Sequence, residues 1–130
     1  MAFLSIRPSA VRDFRLDDQD STVFHLGLLD VSVRVYVSQF APSKDDPDQN
    51  YFYAYTEAIR FGLRGWTGML DGPAGVDVSF RTQSVYIPKL GRREVVAEDL
   101  MNSLPLEWVS KLGQEIIAMN YLDEQDQKNS

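Results

Sequence analysis

A chain of 130 residues, 44% hydrophobic and 25% charged, can bury one proper core; it is too short for two ordinary domains and too apolar to be disordered. The formal charge of −6 makes nucleic acid a poor partner unless the 13 basic residues gather on one face. The absence of cysteine excludes disulfides, thiolate catalysis and Cys-based metal sites and fits a reducing compartment such as the cytoplasm, and no apolar run is long enough to expect a membrane span.

Strand-like residues over 10–16 and 22–28 flank the polar run Asp17-Asp18-Gln19-Asp20-Ser21, which predicts a β-hairpin. Residues 30–40 carry two patterns at once. Val31, Val33, Val35 and Val37 alternate as in a strand, while Val33, Tyr36, Val37 and Phe40 match a helical face with Asp30 as its N-cap; the helix is the preferred reading. After the polar loop 41–50 a helix is expected over 49–64. Phe52, Tyr55, Ile59, Gly62 and Leu63 would share one face of it, and Gly65 would stop it.

The glycine-rich run 68–75 predicts a turn-rich connection, followed by short strands at 76–80 and 83–87 and another ending near Val96. A short helix is expected over 97–104. Pro105 suits the first turn of a second helix, 105–121, whose apolar face holds Val109, Leu112, Ile116 and Met119. The expected architecture is α+β, a small antiparallel sheet packed against the two main helices, 49–64 and 105–121. It forms a single domain over 1–122, with a polar tail over 123–130.

No chemical motif survives comparison with a plainer alternative. Asp46, Asp48, Asn50 and Glu57 fall in a calcium-loop register, but Tyr51 stands where that loop needs glycine, so neither a metal nor any other cofactor is expected. Gly62-Leu63-Arg64-Gly65 has the spacing of a nucleic-acid clamp but is explained by a helix end. His25 is the chain's one histidine and no activated nucleophile can be named beside it; Asp17, Asp18 and Asp20 are turn formers. Catalysis is therefore not expected. The rings of Tyr51, Phe52, Tyr53 and Tyr55 point all round a helix, so some should stay on the surface, where tyrosine favours protein contacts.

Three blocks in order along the chain carry a family resemblance. The first is Asp20-Ser21-Thr22-Val23-Phe24-His25-Leu26-Gly27-Leu28-Leu29-Asp30. Next comes Ala58-Ile59-Arg60-Phe61-Gly62-Leu63-Arg64-Gly65-Trp66 with Val78-Ser79-Phe80. The last is Asp99-Leu100-Met101-Asn102-Ser103-Leu104-Pro105 and the ending from Asn120 to Ser130. The likeness they carry extends over about four fifths of the chain, which resembles the tail assembly chaperones of long-tailed (siphovirus-type) bacteriophages.

The resemblance implies binding of the tape measure protein, recruitment of tail tube subunits during tail morphogenesis, self-association and a place in the host cytoplasm. It implies no cofactor, nucleic acid or membrane. The protein-binding residues expected on this reading are Tyr51, Tyr53 and Tyr55 with Leu122, Asp123 and Glu124 of the ending. The alternatives are another small phage structural protein retained in the virion, for tail completion or head-to-tail joining, and a small enzyme using His25 or a carboxylate pair.

Overall fold

The computed structural model describes residues 11–17, 21–40, 51–71 and 75–129. The order of elements is β1 (Val11–Phe14), β2 (Val23–Gly27), α1 (Val31–Ser38), α2 (Phe52–Gly62), β3 (Leu63–Thr67), β4 (Leu70–Asp71), β5 (Val76–Asp77), β6 (Thr82–Ile87), β7 (Gly91–Val96), α3 (Glu98–Ser103) and α4 (Leu106–Asn129). This is the expected α+β domain. Its strands are divided among an antiparallel sheet β1-β2-β3 and two separate hairpins, β4-β5 and β6-β7, where one sheet was anticipated.

The first hairpin pairs Val11 with Gly27 and Phe14 with Phe24; part of its turn lies outside the described residues. In β2, Phe24 and Leu26 are buried and Val23 and His25 only partly so, the period-2 pattern of a strand with one face on the core. Residues 31–38 are helical. Asp30 accepts from the Val33 N–H at 2.9 Å as N-cap, while Val33 and Val37 are buried. Val31 and Val35 are left exposed, which is why the valines read equally well as strand alternation.

The helix expected over 49–64 is shorter. It ends at Gly62 because Leu63 turns to extended backbone, φ −79° and ψ 117°, and Leu63-Arg64-Gly65-Trp66-Thr67 continues as β3 against β2. Gly65 is therefore a strand residue opposite His25 and not a helix stop. A helical face and an alternating strand place Leu63 inward equally well, so the apolar pattern does not mark the junction. Of the strand expected over 76–80, only Val76–Asp77 pairs, whereas the β6-β7 hairpin and α3 follow the expectation closely. Pro105 precedes α4, whose helical backbone runs past residue 121 to Asn129.

Helix α2 is the hub. Ala54, Ala58, Ile59, Phe61 and Gly62 are buried between α4, α1 and β7. Against α4 the approach is close enough that two positions require glycine. A Cβ on Gly113 would lie 2.3 Å from the Cβ and 2.7 Å from the Cα of Tyr55, and a Cβ on Gly62 would lie 2.7 Å from Ile116 Cγ2. Leu112 and Ile116, both fully buried, flank this contact, each contributing about 1.5–3 kcal/mol through burial of apolar area.

One buried polar side chain fixes where the chain leaves β2. Asn120 of α4 accepts from the Leu29 N–H at 2.6 Å and donates to the Ile116 carbonyl at 2.8 Å. Leu29 follows β2 and precedes the α1 cap, so this bond ties hairpin, α1 and α4 together.

Gly113→Ala should destabilise although alanine favours a helix interior by about 1 kcal/mol. The clash involves the Tyr55 backbone, which cannot swing aside, so urea unfolding should show a net loss of about 1–3 kcal/mol. Acid should also act through the α1 cap. Burial pushes the Asp30 carboxyl up, but the Val33 N–H and Arg93 outweigh it and hold its pKa below the ordinary 3.8. The stabilisation is thus present above the ordinary carboxylate range and is lost as pH falls through the lowered folded value. Below about pH 4, wild type should lose thermal stability faster than Asp30→Asn, which has no such charge to protonate.

Candidate functional site

The largest described cavity, about 470 Å³, lies where β3, the β5–β6 connection and the α3–α4 junction meet. Its wall is mainly apolar: Trp66, Met69, Val78, Leu100, Leu104 and Trp108. Aromatic packing holds it in shape. The buried Phe24 ring takes Trp66 and Trp108 edge-on at 6.3 and 5.9 Å, Phe80 meets Trp66 at 5.1 Å, and Trp66 Nε1 donates to the Val78 carbonyl at 2.7 Å. Polar groups sit at the rim, where Arg81 is hydrogen-bonded to Asp99. Both tryptophan rings offer apolar surface while their orientation is fixed from behind. This arrangement suits an apolar side chain or ring.

The tyrosines expected at a protein interface divide. Tyr51 and Tyr53 are 52% and 66% exposed. Tyr55 is half-buried; it stacks on Tyr51 at 5.9 Å and abuts Gly113 on its other side. The backbone of Leu122, Asp123 and Glu124 belongs to α4, and their side chains lie outside the described residues. Tyr55 meets α4 at Gly113, whereas Leu29 meets it at Asn120, seven residues or about 10 Å further along. The segment 122–124 continues from the Asn120 side, so the two halves of the expected surface attach to different parts of α4.

His25 sits on β2, its Nδ1 2.7 Å from Oδ1 of Asp13 on the paired strand β1. The Asp13 side chain is 73% exposed and lines a shallow polar surface with Phe14, Arg15 and Val23, a cavity that His25 does not share. The pair forms a cross-strand contact at the edge of the sheet. Of the calcium register, Asp46, Asp48 and Asn50 lie outside the described residues, and Glu57 is engaged with Arg60 through both carboxylate oxygens at 3.1 and 2.9 Å. No group of three or more potential metal ligands occurs among the described residues. Asp18 and Asp20 lie outside them.

Sequence reasoning did not find the Trp66–Trp108 groove. Trp66 and Trp108 are 42 positions apart, and each is accounted for locally, one in the block that carries the family resemblance and the other beside an apolar helix face. Their convergence on Phe24 depends on how β2 packs against α4. Among the described residues no helix is long and apolar enough to cross a membrane. Comparison with family models, curated proteins and solved structures returned no match.

Because Trp66 and Trp108 are the chain's two tryptophans and both line the groove, occupancy is readable in their emission. An apolar naphthalene-sulfonate probe should show saturable energy transfer from them. Ser103→Phe, which fills the rim, should weaken that transfer about tenfold; equal transfer in both proteins would put the probe elsewhere.

Proposed function

We propose that this chain is a tail assembly chaperone of a long-tailed bacteriophage. It binds the tape measure protein, covers the apolar stripes of its long helices in the host cytoplasm, and yields them to tail tube subunits as the tube assembles. The observation that carries this reading is the pair of exposed rings, Tyr51 and Tyr53, presented at the start of a helix whose other faces are locked into the core. Tyrosines so placed give large, stiff contact area at little cost in side-chain entropy.

Two further features support the reading. The motif blocks occur in the order characteristic of these chaperones, and the central block spans the junction where α2 passes into β3. The Trp66–Trp108 groove, lined by none of these tyrosines, supplies a second apolar contact. Neither surface is large, so each contact is weak. Many copies along one tape measure would hold by avidity and still release one at a time, which is the property a handover requires.

Co-expression with the tape measure protein of the same phage, followed by affinity capture and a solubility assay, tests the reading. Wild type should be retained and should keep the tape measure soluble. The double variant Tyr51→Ala with Tyr53→Ala should lose at least about tenfold in retention, about 1–2 kcal/mol for each interface ring, while its unfolding temperature stays within a few degrees of wild type. Equal capture by the variant, or stoichiometric presence of the chain in purified virions, would contradict it.

A further inference from the structure

A second cavity, about 270 Å³, lies between the β2–α1 junction, the end of α2 and strand β7, and three arginines from three different elements line it: Arg60, Arg64 and Arg93. Two of them are already paired. Arg60 grips Glu57, and Arg93 Nη1 donates to Asp30 Oδ2 at 2.7 Å while its Nε donates to the Leu90 carbonyl. The remaining carboxylate of the lining, Glu94, accepts from Thr82 Oγ1 at 2.9 Å. Arg64 has one hydrogen bond, from Nη2 to the Leu28 carbonyl at 2.7 Å, and among the described residues no carboxylate lies within ion-pair distance of it.

The position of Arg64 is built by the backbone. In the β2–β3 ladder His25 pairs with Gly65 and Leu26 with Leu63, so Arg64 is the extra residue of a bulge. A bulge re-aims the side chain it carries. The guanidinium then lies against Gly27, where a Cβ would come within 2.6 Å of Arg64 Nε and 2.9 Å of Cζ. A glycine within a strand weakens it, and here it clears the space that the guanidinium occupies. Partial desolvation lowers the Arg64 pKa while the nearby Asp30 charge raises it. Arg64 is an exposed residue, so its guanidinium is open to a ligand from solvent, and among the described residues its one hydrogen-bond partner is the neutral Leu28 carbonyl.

We propose that this cavity is an oxyanion site in which the Arg64 fork receives a carboxylate or phosphate group, with Arg60 and Arg93 as flanking cations. The planar guanidinium offers parallel N–H donors that match two oxygens of such a group, which a lysine cannot do. Glu57, Asp30 and Glu94 match the three arginines in number, so an incoming oxyanion would be held by the free donors of the Arg64 fork and not by an excess of positive charge. The net charge of −6 opposes entry only weakly, because repulsion from distant carboxylates is screened within about 8 Å at physiological salt. The site stands apart from the assembly role and holds or fails independently of it.

Side-chain NMR of the arginine Nε–H groups in the full chain provides the test, with inorganic phosphate, a terminally blocked oligoglutamate peptide, and chloride at matched ionic strength as titrants. The Arg64 signal should shift saturably. Saturation by the peptide alone identifies a protein carboxylate as the ligand, by phosphate alone a free or esterified phosphate, and by both a site that reads any oxyanion. In Arg64→Lys the shifts of Arg60 and Arg93 should need about tenfold more titrant. Gly27→Ala, which keeps the charge and displaces the fork, should behave alike if its backbone spectrum remains native; if it does not fold, Arg64→Lys decides. Shifts that merely follow ionic strength and are matched by chloride, or an unchanged midpoint in Arg64→Lys, would overturn the proposal.

Discussion

The fold depends on how closely α4 lies on α2. At Gly113 the α4 backbone rests on the Cα and Cβ of Tyr55, and at Gly62 the end of α2 receives Ile116. Two helices in such contact exclude water along their shared face and bury Ile59, Leu112 and Ile116 completely. Other elements take their places from this pair. Asn120, one helical turn beyond Ile116, reaches the Leu29 N–H and so fixes where β2 ends and α1 begins, and Trp108, near the start of α4, packs on Phe24 of β2.

Satisfying Leu29 inside the protein matters because an orphaned buried N–H costs about 1–3 kcal/mol. The surface ion pairs contribute far less. Arg12–Glu115 at 3.2 Å joins β1 to α4 but is mostly exposed on the arginine side, and such pairs are worth at most about 1 kcal/mol. Packing and one buried amide therefore define the fold, while charge distinguishes its surfaces. The Trp66–Trp108 groove is mainly apolar, the Tyr51–Tyr53 face is aromatic and exposed, and the Arg64 cavity is lined by three arginines.

Much of this architecture is legible in the residues. The hairpin follows from alternation around an aspartate-rich turn, the helix at 31–38 from Asp30 as cap, and the start of α4 from Pro105. The α2–β3 junction is not legible, since Leu63 fits an inward position in either element and nothing local marks Gly62 as the last helical residue. Gly113 reads as a weak point in a helix until Tyr55 is placed beside it. Nothing local marks Asn120 as a buried amide. Both acquire their roles from partners 58 and 91 positions away, a separation that periodicity cannot span. The candidate sites follow the same rule: exposed tyrosines were foreseeable from ring crowding on one helix, whereas the two-tryptophan groove and the bulged Arg64 arise only from tertiary register.

If the contact between α2 and α4 organises the domain, the two helices must open together. Native-state hydrogen exchange measures this directly, residue by residue, under conditions where exchange reports opening free energy. The amides of residues 56–62 in α2 and 110–120 in α4 should share one highest opening free energy, equal to that of global unfolding, with the Leu29 amide among them. A lower value for α4, with α2 and the β2–β3 pair still protected, would show that the helix is an appendage to a core formed without it and would contradict the account.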